Sequence, residues 1–342
     1  MLPAWRLTPR HDPVLLSCCF SHTRAIATLR QNQFSPRSNI VVSIGTASVA
    51  AGSPIDALAG NDRITGIAND ATPPFDTSFE FGGVFGVYLE DRLSLFSGPD
   101  TLTGLASTAG NQVNVYGIVL GFGDGAATLD GGAGHDRISG HAQSRQASSP
   151  SRFVIGISLY GQSQILTGAE NVVIEGQASG TSAGQMNGIY LVEGSVIDTA
   201  SGNDRVIGTA SNTELIGPIS GIFGEVNLRL YTGADHDQVI GAGTVAGNHW
   251  AGFVGSLTID LGSGNDTIKG FGSFETFGGS GKDTYNLPGY KTTDFEIKKD
   301  GQGGVTFTGA FPIEPNFTPT ATLNGFEVFL FDNGLFTCNT LA

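Results

Sequence analysis

Asp130-Gly131-Gly132-Ala133-Gly134-His135-Asp136-Arg137-Ile138-Ser139-Gly140 is the stretch on which the reading of this chain turns. Gly131, Gly132 and Gly134 permit backbone angles that other residues resist. They let the chain curl with its carbonyl oxygens turned toward one point. Asp136 adds a carboxylate to that point, and Ile138 then leads a strand into an apolar layer. The stretch reads as a cation-gripping turn followed by a strand.

Variants of it recur. An apolar-x-Gly element follows each turn: Ile64-Thr-Gly66, Leu102-Thr-Gly104, Ile138-Ser-Gly140, Ile174-Glu-Gly176, Val206-Ile-Gly208, Val239-Ile-Gly241 and Ile268-Lys-Gly270. A second column runs out of phase with it: Gly86-Val-Tyr-Leu, Gly117-Ile-Val-Leu, Gly156-Ile-Ser-Leu, Gly188-Ile-Tyr-Leu, Gly221-Ile-Phe and Gly252-Phe-Val. Both keep a period of about 33 residues, within the 20–50 that mark solenoids and propellers. Alternation in Val113-Asn-Val-Tyr-Gly-Ile-Val-Leu120 and Leu257-Thr-Ile-Asp-Leu261 indicates strands. A coil of that length holds three or four short strands, whereas a propeller blade needs about 40–45 residues. The expected fold is all-β, a parallel β-solenoid. Residues 41–286 form the solenoid. Residues 287–342 form a C-terminal cap that hides the last sheet edge. Residues 1–40 are set aside as a leader outside the fold. His141 to Arg152 is expected to bulge as a loop, as is Thr72-Pro-Pro-Phe-Asp76. After Asp266 the spacing shortens through Glu275 to Asp283, which predicts that the solenoid ends in a compact β-roll.

Composition agrees. The chain has 51 glycines in 342 residues, about twice the usual share of roughly 7 per cent. Charged residues are 14 % and the net charge is −14. The basic residues Arg6, Arg10, Arg24, Arg30 and Arg37 crowd the start of the chain, so the remainder is more acidic still. Such a surface repels nucleic acid and anionic lipid and suits cations. Cys18, Cys19 and Cys338 lie at the two ends, which excludes a disulfide framework. No run approaches the roughly 18 apolar residues of a membrane span.

The candidate ligands follow from aligning the turns. Asp62, Asp100, Asp136, Asp204, Asp237, Asp266 and Asp283 share one position, with Asp235 in place of the glycine before Asp237. A second acid stands six residues earlier in Asp56, Asp130, Asp198 and Asp260. Val172 occupies the position in the coil of Ile174, with Glu170 nearby, so that rung is expected to carry no ion. Stacked turns lie about 4.8 Å apart, so an ion midway is about 2.4 Å from each along the axis, a distance that suits calcium better than magnesium. Two carboxylates at that spacing repel by about 1 kcal/mol in water and about 3.5 kcal/mol at an effective dielectric of 20. A divalent ion removes that cost, so metal-coupled folding is expected. His135 and His236 are read as exposed turn residues, because Asn61, Asn203 and Asn265 fill the same slot. Arg63, Arg137 and Arg205 are read as solvated partners of the acidic column.

Gly131 to Ser139 fits the nonapeptide G-G-x-G-x-D-x-U-x, and so does Gly278-Gly-Ser-Gly-Lys-Asp-Thr-Tyr-Asn286. On these motifs the chain resembles the repeats-in-toxin, or haemolysin-type calcium-binding, proteins, with a longer period than their tandem repeat. The resemblance implies Ca2+ held by the aspartates together with Gly132, Gly134, Gly264, Gly279 and Gly281. It also implies type I export from a Gram-negative-type bacterium or cyanobacterium, and folding outside the cell. The expected role is structural or adhesive, at a surface or in a matrix whose polysaccharide is the further partner. A polysaccharide lyase, hydrolase or epimerase on a β-helix is the alternative. It would need acids clustered with Lys, Arg or His off the calcium column, and no Lys precedes Lys269. No G-x-S-x-G, H-E-x-x-H or phosphate loop occurs.

Overall fold

The computed structural model describes residues 26–28, 40–44, 46–49, 54–57, 59–70, 83–95, 97–109, 114–121, 125–145, 151–181, 183–214, 217–309 and 318–341. It is a parallel β-solenoid. Its only helical element among the described residues is the 3-10 turn Thr292–Asp294. No helix among them is long and apolar enough to cross a membrane.

Each coil has three faces. The first is a stack of eight-residue strands, Arg63–Asp70, Thr101–Thr108, Arg137–Ser144, Val173–Gly180, Arg205–Asn212 and Gln238–Val245, all parallel and in register. The second stacks Gly83–Leu89, Asn114–Leu120, Ser151–Leu159 and Ala183–Leu191. The third is short: Ile55–Asp56, Leu93–Ser94, Thr128–Asp130, Gln164–Leu166 and Val196–Asp198. The long strand Ile219–Tyr231 then runs along both the second and the third face, so the corner between them straightens. The corner it replaces was made by left-handed residues such as Gly161, Gln162, Glu193 and Gly194.

Like residues stack inside. The first face buries Ile64, Leu102, Ile138, Ile174, Val206 and Val239, and the third buries Ile55, Leu93, Leu129, Ile165 and Ile197. Each is worth about 1.5–3 kcal/mol of burial. Between the first and second faces the interior closes completely. A Cβ on Gly140 would lie 2.2 Å from the Gly156 carbonyl oxygen, one on Gly176 2.2 Å from that of Gly188, and one on Gly208 2.3 Å from that of Gly221. The two glycine columns are therefore one seam, where two sheets meet backbone to backbone. The core enclosed by the three faces is thus a wedge that narrows to the seam, and past it the first face buries Ala68, Ala106, Ala142, Ala178 and Ala210 and then Thr108, Ser144, Asn212 and Val245.

The structure differs from the expected layout in four details. Ile26–Thr28 pairs in parallel with Thr46–Ser48, and Ile40–Ile44 with Arg63–Ile67, so part of the segment set aside as a leader is in strands. The rest of residues 1–40, and Thr72 to Asp76, lie outside the described residues. His141 to Ser144 continues the first-face strand, and Ser151 and Arg152 begin the second, because Ala142 and Ser144 point inward and are buried. Glu275 is not in a turn but exposed on the strand Phe274–Phe277. The period nevertheless falls to 17 residues between Asp266 and Asp283. Finally, the cap contains one more coil. Thr320–Asn324 and Val328–Phe331 pair in parallel with Phe274–Phe277 and Thr284–Leu287. The antiparallel strands Phe295–Lys299 and Gly304–Gly309 are inserted within it. Tyr285, Phe295, Phe307 and Phe331 plug this end with tilted and edge-on ring contacts.

Candidate metal centre

The turn that joins the third face to the first lies at the wide end of the wedge. The aspartates aligned in the sequence stack there in one column, none more than 2 % exposed. Each carboxylate reaches back one coil. Asp62 N–H donates to Asp100 Oδ1 at 2.6 Å, Asp100 N–H to Asp136 Oδ1 at 2.9 Å, and Val172 N–H to Asp204 Oδ1 at 2.7 Å. Asp204, Asp237 and Asp266 N–H donate in turn to Asp237, Asp266 and Asp283 Oδ1 at 2.8, 2.8 and 2.9 Å. The row ends where Asp283 N–H donates to Glu327 Oε2 at 2.7 Å. Glu327 lies 44 residues beyond Asp283, across the inserted hairpin. It was not among the sequence candidates. Its one sequence signal was its place in residues 287–342, expected to form the cap.

A second row runs the other way one residue earlier. Asn203 N–H donates to Asn171 Oδ1 at 2.8 Å, His236 N–H to Asn203 Oδ1 at 3.1 Å, Asn265 N–H to His236 Nδ1 at 2.8 Å, and Lys282 N–H to Asn265 Oδ1 at 2.9 Å. The recurring Asn-Asp pair thus satisfies the two turn N–H groups that the sheets do not reach. His236 stands in an exposed turn slot, as the sequence suggested, and acts there as one of these acceptors.

The other oxygen of each column residue faces into the turn. Oδ2 of Asp100, Asp136, Asp266 and Asp283 is buried and receives no hydrogen bond. Around it the backbone is held open by positive φ at Gly132 (74°), Gly134 (138°), Gly264 (152°), Gly279 (89°) and Gly281 (139°). Ala200 and Asp235 accept the same region at 62° and 83° without being glycine. A Cβ on Gly278 would lie 2.5 Å from Asp283 Oδ2, so the carboxylate leans across the first glycine of its own turn.

The earlier acids are placed differently. Asp130 Oδ1 accepts the Gly132 N–H at 3.1 Å and Oδ2 pairs with Arg92 at 2.9 Å. Asp198 Oδ1 accepts the Ala200 N–H at 3.0 Å. Asp56, Asp130, Asp198 and Asp260 are half-buried at the ends of third-face strands and shape the turn from outside. Arg137 pairs with Glu175 of the next coil and not with the aspartate column, because its side chain leaves the outer face of the first sheet. Glu170 Oε2 accepts the Gly134 N–H at 2.9 Å, one coil from the gap at Val172.

Burial dominates the electrostatics. It pushes Asp100 and Asp237 up to about 7, and Asp136, Asp204 and Asp283 up to about 6, although the donated N–H holds each partly down. Asp266 is raised for the same reason. Stacked carboxylates add to the rise at Asp100, Asp237 and Asp283. Among the described residues no three His, Cys, Asp or Glu side chains gather closely enough to hold a metal alone. An ion in this column would therefore need backbone carbonyls for part of its shell. Hard oxygens of this kind suit calcium, which accepts six to eight of them in loose geometry. Comparison of the chain with protein-family models, curated proteins and solved structures finds no match.

Proposed function

We propose that this chain is a calcium-binding β-solenoid, exported from the cell, that serves there as a structural or adhesive element stiffened by the ion. The observation that carries the reading is the set of orphaned oxygens on Asp100, Asp136, Asp266 and Asp283. A buried carboxylate oxygen with no donor costs several kcal/mol when charged, unless a cation meets it. The two full nonapeptides support the same reading, since they supply the glycines that such a turn needs.

In this arrangement the aspartate Oδ2 atoms and the turn carbonyls would hold the ion, while Oδ1 stays with the neighbouring coil's N–H. Bound calcium would supply positive charge between rungs. The protein's own part is to place one carboxylate per coil at rung spacing, exclude water from it, and let the glycines bring backbone oxygens close. A cation-dependent clamp along one corner stiffens a solenoid whose coils otherwise touch only their neighbours.

Calorimetric titration of the chelator-treated protein with calcium tests this. Saturable binding of more than one ion, with a rise in melting temperature, is expected. No heat, together with the same melting curve in calcium and in excess chelator, would sink the reading.

A further inference from the structure

The first face has an outer surface that the metal corner does not use. In its middle lies a groove of about 530 Å³. Ile67 and Leu105, adjacent in register, form its apolar floor and continue into His141 and Gln177. A parallel row runs from Asn69 through Ser107 to Gln143, and Arg145 stands at its edge.

The polar groups here are oriented by one another. Arg145 Nε donates to Gln143 Oε1 at 3.0 Å, Ser107 Oγ donates to Asn69 Oδ1 at 2.6 Å, and His141 Nδ1 meets Gln177 Oε1 at 2.8 Å. Three amide oxygens are thereby engaged, which leaves three amide NH₂ groups and the outer guanidinium N–H groups to present outward. Among the described residues no Asp or Glu lines the groove, on a chain whose net charge is −14. Glu175, on the same face, is held by Arg137. The groove is therefore a donor-rich, carboxylate-free patch on an acidic protein.

We infer that this groove binds an acidic oligosaccharide, one bearing uronate carboxylates, through the amides of Asn69, Gln143 and Gln177 and the guanidinium of Arg145. Arg145, the one formally charged side chain among the described lining residues, selects an anionic group locally against the acidic background of the chain. The sheet selects against an extended peptide, because the strands flanking the groove are paired on both sides and offer no backbone edge for strand addition. Amide donors beside an apolar floor match a sugar ring, with its polar rim and apolar face. Among the described residues the lining has no carboxylate pair of the sort glycoside hydrolysis uses, which suits a site that retains its ligand without cleaving it. This inference does not rest on calcium.

The test is titration of the full chain with oligogalacturonate, with a neutral glucose oligomer of equal length and polyglutamate as controls, all at one fixed calcium concentration. The wild type binds the uronate more tightly than either control. Gln143→Ala with Arg145→Ala weakens uronate binding about tenfold or more, as loss of a charge-assisted hydrogen bond implies, with the circular dichroism unchanged. Gln177→Ala weakens it less. Lys298→Ala, an exposed cation of the cap remote from the groove, leaves it intact. The inference is overturned by any of four results: no uronate binding, equal binding of the neutral oligomer, equal binding of polyglutamate, or undiminished uronate binding by Gln143→Ala with Arg145→Ala.

Discussion

The glycine seam and the aspartate corner are both ladders of one residue type, yet through the middle coils only the corner admits exceptions. At the seam Gly104, Gly140, Gly176, Gly208 and Gly241 face Gly117, Gly156, Gly188, Gly221 and Gly252 without interruption. At the corner the column admits Val172 in the middle and Glu327 at the end. The difference is one of range. Overlap of a Cβ with a carbonyl oxygen rises too steeply for the neighbours to yield, and both neighbours are backbone. A hydrogen bond or a charge interaction is graded, and one missing rung costs only its own share. Sterics thus sets where the two sheets meet, and electrostatics sets how the turns respond to their surroundings.

The largest expected effect breaks the seam. Gly176→Ala places a Cβ 2.2 Å from the Gly188 carbonyl oxygen. It should cost about 3 kcal/mol or more, at or above the top of the overpacking range, and the loss should be larger still in chelator. Urea denaturation measures this, and a loss below about 1 kcal/mol would show that the sheets can part.

Next comes the corner. Asp237→Asn keeps an acceptor for the Asp204 N–H but removes a buried charge. At pH 8 in chelator it should be neutral or stabilising, whereas in calcium it should forfeit part of the ion-dependent rise in melting temperature, by about 1–2 kcal/mol. Val172→Asp is the converse. It offers the Asp136 N–H a carboxylate, and should lower stability in chelator and raise it in calcium. If both variants behave alike with and without the ion, the corner is only a hydrogen-bond ladder.

A smaller and more gradual effect follows from pH. Folding raises the column carboxyls from the ordinary 3.8 to about 6 or 7. A raised pKa means that the folded state binds the proton more tightly than the unfolded chain. The resulting stability is fully present below about pH 4 and is lost as pH rises through 6 to 7. In chelator the melting temperature should fall between pH 5 and pH 8, and calcium should flatten or invert that slope. A metal-free melting temperature that climbs over this window would contradict the assignment of the column as buried and unneutralised.

The smallest change is at the exposed second row. Asn203→Ala removes the acceptor for the His236 N–H, which water can replace. It should cost about 0.5–1 kcal/mol by urea denaturation, with calcium binding unchanged.

Much of the fold was legible because a solenoid turns sequence period into spatial columns. Asp62, Asp100, Asp136, Asp204, Asp237, Asp266 and Asp283 could be aligned by eye, and the break at Val172 was visible in the same alignment. The two glycine columns were equally visible as markers of period, but not as the two sides of one contact. Arg137 follows an aspartate in the chain, which suggests a pair, yet its side chain leaves the other side of the strand and meets Glu175. The strand through His141 to Ser144 looks like a loop in the sequence because its Gln and Ser residues resemble turn formers, and only burial of Ala142 and Ser144 reveals the alternation.

Period, strand content and the chemistry of the repeated turn were written in the chain itself, because identical residues one coil apart come to lie directly over one another. Tertiary structure alone decided which glycines touch, which coil's N–H each aspartate accepts, and that Glu327 closes the column. Those depend on contacts between different faces, or across an inserted hairpin, where separation along the chain carries no information about distance in space.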